Sequence, residues 1–313
     1  MLAIAVVAPW AIWALVRTLG LDGGAITVQE MAFTPYAALT SPLPVLAALL
    51  LRRRVIAAVA GVVAVALAFA VVPRAMAGAG PDTRGPRLTV MTANLYIGRG
   101  DARTVVELVR RYHVDVLSLE ELTPAELERL DAAGIASALP HRVAEPLPGA
   151  SGAAVLARAP LVALASPHAG VNPQPAARLN PTGAPPVAIT AVHPAPPVNG
   201  GREDGWSHAL DTLPGAEASQ LRILAGDFNA TLDHRALRGV LDRGYADSAD
   251  RAGAGLRPTW PAVRRRALPI TIDHVLVDPR IRVEAVHVAA VPGSDHRAVV
   301  VTLRLPTDLA VAK

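Results

Sequence analysis

The chain has 313 residues, 30 Lys+Arg against 26 Asp+Glu, a net charge of +4 and no cysteine. The missing cysteines exclude disulfides and thiol catalysis. Arg264-Arg265-Arg266 is the one basic cluster after Arg87. A duplex-binding protein shows a stronger basic footprint, so nucleic acid is permitted as a substrate but not argued for.

Three apolar stretches come first in chain order. They run from Leu2 to Val16, Phe33 to Leu51 and Val55 to Val72, about 15, 19 and 18 residues with no charge inside. A membrane span takes about 20 apolar residues, in a usual range of about 17–25. The third stretch fits. The second is long enough but holds Pro35, Pro42 and Pro44. The first lacks a basic n-region and reads as a clipped span rather than a cleaved signal peptide, since further apolar runs follow. Buried helices of a soluble domain are the competing reading, but three uncharged runs are hard to bury in a protein of this size. Residues 1–73 are therefore expected to form a membrane anchor of two to three transmembrane helices. No charge lies within them, which argues against a transport path.

Arg52-Arg53-Arg54 separates the second and third stretches. Short Arg-rich loops stay cytoplasmic, which places the rest of the chain outside. The expectation is a multi-pass protein of the cell membrane with an extracytoplasmic catalytic domain. Residues 74–86, rich in Gly and Pro, read as a flexible linker. Residues 87–313 form the remaining domain, with no internal repeat.

Within that domain, Leu88 to Ala93 is a short β-rich run. Asp101 is placed to cap a helix reaching Arg111, with Val105, Val106, Leu108 and Val109 apolar. Val114 to Leu119, Val155 to Ala157, Val187 to Val192, Leu221 to Ala225, Ile270 to Val277 and Ala298 to Leu305 read as further strands. Strands mixed with helices predict an α/β domain.

Short polar residues recur just past these strand ends, where loops hold functional groups on a rigid base. They are Asn94, the Glu120-Glu121 pair, His193 before a proline, Gly226-Asp227-Phe228-Asn229, Asp273, and Ser294-Asp295-His296. In an extended Asp227-Phe228-Asn229 segment, the carboxylate and the amide face one side and Phe228 the core. A plain Asp/Asn turn accounts for the same residues. Glu121 suits a hard cation, or merely a helix start. Adjacent strand residues face opposite sides, so Glu120 and Glu121 cannot both face one site, and which of them does is left open by the pattern. Thr259-Trp260-Pro261 reads as a packed loop, Arg158 as a surface residue and His274 as a packing residue.

In this order and at these strand ends, the set resembles the endonuclease/exonuclease/phosphatase superfamily over roughly residues 87 to 305, most specifically in Gly-Asp-Phe-Asn and Ser-Asp-His. The resemblance implies a deoxyribonuclease-I-like fold, two β-sheets packed face to face and flanked by helices. It implies Mg²⁺ (or Mn²⁺) on Glu121, with Asn94 beside it and Asp295 as a second contact. Asp227 would position the attacking water and Asn229 would hold the phosphoryl group. His193 would bind phosphate or protonate the leaving group. His296, paired with Asp273, would stabilise charge. The implied activity is hydrolysis of a phosphodiester or phosphomonoester in a nucleic acid or phospholipid headgroup, with no protein partner. The alternative is a catalytically inactive binding ectodomain of the same fold.

Overall fold

The computed structural model describes residues 2–78, 80–167, 172–198, 203–262 and 267–309. The Arg264-Arg265-Arg266 cluster lies outside the described residues.

Five helices precede the first strand: α1 (Leu2–Leu19), α2 (Ala25–Met31), α3 (Thr34–Thr40), α4 (Pro42–Leu50) and α5 (Arg54–Val71). One helix, Arg54–Ala75 with its final 3₁₀ turn, is long and apolar enough to cross a membrane. The pair Ala25–Met31 and Thr34–Leu50, bent by 64°, makes a second if taken as one broken span. Length and composition thus give one or two candidates where the sequence suggested two or three. The outward faces stay apolar, with Val62 71% and Phe69 81% exposed.

The domain then runs β1 (Arg87–Asn94), α6 (Ala102–Arg111), β2 (Val116–Glu120), α7 (Pro124–Ala132), α8 (Ile135–Ala138), β3 (His141–Glu145), β4 (Ala153–Ala157), β5 (Leu161–Leu164), β6 (Ala176–Leu179), β7 (Val187–Val192) and α9 (Glu203–Asp211). It continues with β8 (Leu221–Asp227), α10 (Arg235–Asp242), β9 (Ala246–Asp247), α11 (Ser248–Arg251), β10 (Asp273–Val277), β11 (Arg282–Ala290) and β12 (Arg297–Arg304). Two six-stranded sheets form, in the orders β11-β12-β1-β2-β4-β3 and β5-β6-β7-β8-β10-β9. The expected two-sheet sandwich with flanking helices is present. Strands β3, β5, β6, β9 and β11 went unread in the sequence, being short or, like β11, only partly buried.

The core explains why the central strands read as continuous apolar runs: both faces of each are covered. Val90, Val116, Val155, Ile223, Val275 and Val301 meet between the sheets. Met91, Leu117 and Leu119 turn outward under Val105 and Val109 of α6 and Leu130 of α7. Leu224 and Leu276 lie under Trp206 of α9 and Leu237 of α10, joined there by Val28 of α2. Asp101 caps α6 as expected, its side chain accepting from the Thr104 N–H.

The N-terminal helices dock on this domain. Arg17, near the end of α1, and Arg74, just past α5, both reach the buried Asp233 carboxylate, at 2.5 and 2.6 Å. The Arg235 N–H donates to Asp22 at 2.8 Å, and Tyr36 Oη donates to the Pro269 carbonyl at 2.7 Å. The segment expected as a flexible linker is held in place instead. Gly78 N–H donates to the Arg251 carbonyl and Gly85 N–H to the Leu305 carbonyl, both at 3.0 Å. A buried arginine needs its partner, and that need fixes the start of the segment.

Pairing direction puts the loaded residues on one edge. Strands β1 and β2 are parallel, with Asn94 beside Glu120. Strands β7 and β8 are also parallel. Strands β12 and β10 run antiparallel to β1 and β8, and Asp273 pairs with Asp227. Four C-terminal ends and two N-terminal ends therefore share a rim.

Candidate active site

Asp227 ends β8 and Asn94 ends β1. The Asn94 amide Nδ2 donates to Asp227 Oδ2 at 3.0 Å and to Glu121 Oε1 at 3.2 Å. Its own Oδ1 accepts from the Tyr96 N–H at 2.9 Å. Asn94 thus ties two carboxylates together from behind. The second Glu121 oxygen accepts from the Ile97 N–H at 2.7 Å.

Backbone geometry concentrates here. Tyr96, Ile97, Glu121 and Asn229 all adopt left-handed φ, between 47° and 55°. Such conformations are uncommon outside glycine and gather where the surroundings over-determine them. The turn at Asn229 corrects the extended geometry read from the sequence. Its N–H folds back onto Asp227 Oδ1 at 2.8 Å, and its Nδ2 donates to the Pro194 carbonyl at 3.0 Å. Phe228 is nonetheless fully buried. Gly226 is required by contact, since a Cβ there would lie 1.9 Å from the Val192 carbonyl oxygen.

His193 follows β7. Its Nε2 lies 3.8 Å from Glu121 and 3.9 Å from Asp227. Burial lowers its pKa, so the ring is neutral at pH 7. Asn172 Nδ2 donates to the His193 carbonyl at 3.0 Å and lies 3.5 Å from Nδ1, a contact compatible with the proton on Nε2 at the pocket side. His296 precedes β12, with Nδ1 3.0 Å from Asp273 Oδ2 and Nε2 3.7 Å from Asp227. Burial alone would lower its pKa, but the charges of Asp273 and Asp227 overcome this and push it up to about 10. His296 is therefore an imidazolium at neutral pH. Burial raises the Asp227 pKa, an effect His296 opposes, and burial also raises that of Glu121.

The eight residues singled out from the sequence converge. Glu121, His193, Asp227, Asn229, Asp295 and His296 line one cavity, and Asn94 and Asp273 stand directly behind it. Glu120 is not among the lining residues. It points between the sheets, fully buried, accepting from Ser118 Oγ at 2.6 Å and Thr92 Oγ1 at 3.0 Å. Burial raises its pKa well above the usual carboxylate range, which favours the protonated acid. Arg158 pairs with Asp115 at 3.2 Å, away from the cavity. Trp260, read from the sequence as a packed loop residue, lines the cavity instead, and its Nε1 donates to Asp295 Oδ2 at 3.2 Å. Tyr96, Asn172 and residues of α2 also line it and carried no signal in sequence.

No Lys or Arg lines the cavity among the described residues. Three carboxylates do, and Asp295 Oδ1 is buried without a hydrogen-bond partner. An orphaned carboxylate oxygen beside other carboxylates fits a hard divalent cation. Glu121 and Asp295 are the candidate ligands. Asp227, Asp273 and His296 also place ligand atoms within 4.8 Å of one another. A protonated imidazole offers no lone pair, so that cluster is better described as a proton-holding network.

The family model described as "Endonuclease/Exonuclease/phosphatase family" matches residues 91–296. A comparison with curated proteins finds no match. Among solved structures, an endonuclease/exonuclease/phosphatase from Beutenbergia cavernae DSM 12333 is 22% identical, with a TM-score of 0.55 over 71% of this chain and 72% of that one. D. rerio TDP2 complexed with single strand DNA product is 16% identical, with a TM-score of 0.54 over 69% and 98%. The Bacteroides thetaiotaomicron mannosyl-6-phosphatase Bt3783 is 17% identical, with a TM-score of 0.51 over 69% and 99%. At these identities the likeness is one of fold.

Proposed function

The chain belongs to the endonuclease/exonuclease/phosphatase family, and from that premise we propose that its cavity hydrolyses a phosphodiester or phosphomonoester bond with Mg²⁺, or Mn²⁺, as the cation. The observation that carries this reading is the convergence of Glu121, His193, Asp227 and His296 within 3.7 to 3.9 Å contacts on one strand-end rim. Glu121 and Asp295 would hold the cation, which when bound supplies a Lewis acid for a phosphoryl oxygen and neutralises charge. The chain's own residues do the rest. Asp227, fixed by Asn94 and the Asn229 N–H, accepts a proton from a water placed in line with phosphorus. The water oxygen bonds to phosphorus as the bond to the leaving oxygen breaks. His296, kept protonated by Asp273, stabilises the charge that develops on the phosphoryl group. Neutral His193 donates Nε2–H to the departing oxygen, which takes its proton from solvent.

We also infer that residues 1–73 anchor the protein, with the domain outside. Arg17 and Arg74 meet at Asp233, so α1 and α5 end on the domain's side. The Arg52-Arg53-Arg54 turn then lies at the far end of α5, about 27 Å away at 1.5 Å per residue. An arginine-rich turn there fits the cytoplasmic face. Protease treatment of intact cells should degrade the domain, and protection until lysis would overturn the orientation.

The chemistry is tested on the full chain, because both arginines of the Asp233 cluster, Arg17 and Arg74, precede the first strand. Turnover of bis(p-nitrophenyl) phosphate with Mg²⁺ is expected, and it should vanish in EDTA and in Asp227→Ala. Turnover that survives both controls would defeat the proposal.

A further inference from the structure

The cavity does not end at the sandwich. It measures ≈ 600 Å³, and one wall is α2 with the turn into α3, formed by Val28, Gln29, Ala32 and Phe33. Trp260, Ile270, Ile272 and Val198 also line it. Glu121, Asp227, His193 and His296 group within 3.7 to 3.9 Å contacts of one another, whereas the wall built by Val28, Ala32, Phe33 and Ile270 is largely apolar.

A second cavity of ≈ 460 Å³ lies beside it, between the N-terminal helices and the domain. Ala32 and Ile270 line both. Beyond them the second cavity is walled by Tyr36, Leu39, Ala68, Val71 and Leu256. Its one charged side chain is Arg74, whose guanidinium is occupied by Asp233 through two hydrogen bonds of 2.6 and 2.8 Å. Leu39 is 76% exposed on the outer face of the helices, so the cavity reaches that apolar surface. A soluble nucleotide or sugar phosphate would leave these walls without a partner. Apolar walls are favourable only against apolar ligand surface.

We propose that the substrate is a phosphoester borne on a long apolar chain, with the phosphate at Glu121, Asp227 and His296 and the chain passing between Ala32 and Ile270 into the second cavity. This rests on the hydrolase and anchor readings above and names their substrate class. The anchor then has a second role beyond tethering, since α2, α3 and α5 build the chain-binding half of the site.

The test compares methyl and hexyl p-nitrophenyl phosphate with the full chain in nanodiscs. Partitioning of the hexyl ester into lipid is common to all variants, so variants isolate the cavity. The unmodified protein should favour the hexyl ester in kcat/KM by at least about tenfold, because each buried methylene contributes favourably. Ala68→Trp and Leu39→Trp narrow the second cavity from two sides without touching the polar end. Both should keep the methyl-ester rate and lose most of the preference. Equal kcat/KM for the two esters, or a preference that survives both variants, would overturn the proposal.

If neither ester turns over, the hydrolase reading fails. The substrate-class inference is then read by calorimetric binding of hexyl methylphosphonate against dimethyl phosphate, with the same preference and the same loss expected. Phosphatidylglycerol and farnesyl diphosphate arms separate a glycerolipid source from an isoprenoid one, and turnover of either meets the expectation.

Discussion

Two buried histidine–carboxylate pairs stand back to back on β10. Asp273 holds His296 at 3.0 Å, and the next residue, His274, holds Asp247 at 2.8 Å. Alternation along the strand sends the two to opposite faces. The His274 ring spends its second nitrogen on the Ala230 carbonyl at 2.9 Å and meets the Phe228 ring edge-on. The second nitrogen of His296 faces Asp227 and the cavity. Burial opposes the charge on His274, but the Asp247 contact outweighs it and raises its pKa too. The chemical pair is the same in both places. What separates a catalytic group from a structural one is whether its last hydrogen-bonding atom is already used.

The largest expected effect separates the pairs directly. His296→Ala should lower kcat by about 10²–10³-fold, the usual loss for one charge-stabilising donor, and should also lower Tm, because it leaves Asp273 buried without its partner. His274→Ala should lower Tm alone. It leaves Asp247 buried without its partner, costing about 3–5 kcal/mol, while the folded fraction keeps its kcat. Thermal unfolding and single-substrate kinetics on both variants check this, and a silent Tm for His274→Ala breaks the comparison.

Gly226→Ala should be almost as damaging to stability. Its Cβ would overlap the Val192 carbonyl oxygen, and backbone on both strands must shift to relieve it. Tm should fall, and kcat with it, because Asp227 and His193 directly follow the two residues that must shift.

A pH profile sharpens the contrast. With His296 at about 10, kcat/KM should hold to alkaline pH and fall as the ring loses its proton. Asp273→Asn removes a charge that raises this pKa, so the limb should move to lower pH. For His274 the sign concerns stability. Its folded pKa is raised above the unfolded value, so its contribution is fully present below about pH 6.5. It is lost as pH rises through the folded pKa. His274→Gln should flatten that part of the stability–pH curve, whereas His296→Gln should remove the kinetic limb.

Glu120→Gln is the smallest change. The folded acid is neutral and the unfolded one ionises above about pH 4.5, so the native residue costs stability as pH rises. The amide should leave metal binding unchanged and make Tm equal or higher at pH 8. Glu121→Gln, one residue on, should weaken Mg²⁺ binding by at least about tenfold, measured by calorimetry.

The fold class was legible because the central strands are apolar on both faces and end in polar residues. β1, β2, β4, β7, β8 and β12 all stood out this way. β11 was not, since its burial is partial and its pairing with β12 slips between Val283 and Ala285. The site was legible in its residues but not in their jobs. Asn94 looked like a cation neighbour. The fold adds the work of holding Glu121 and Asp227, to both of which its Nδ2 donates. Trp260 looked like packing, and only the approach of Asp295 from 35 residues away brings it into the cavity.

The sequence by itself determined the apolar N-terminal stretches and the polar residues at strand ends, because these follow from local patterning. Only the tertiary structure decided that a turn at Asn229 closes the site, that Asp295 keeps an oxygen free of hydrogen bonds and that α2 and the turn after it form part of the cavity wall. Those outcomes depend on elements far apart in the chain meeting at one edge, above all on Asp233 gathering Arg17 and Arg74, and no local pattern encodes such a meeting.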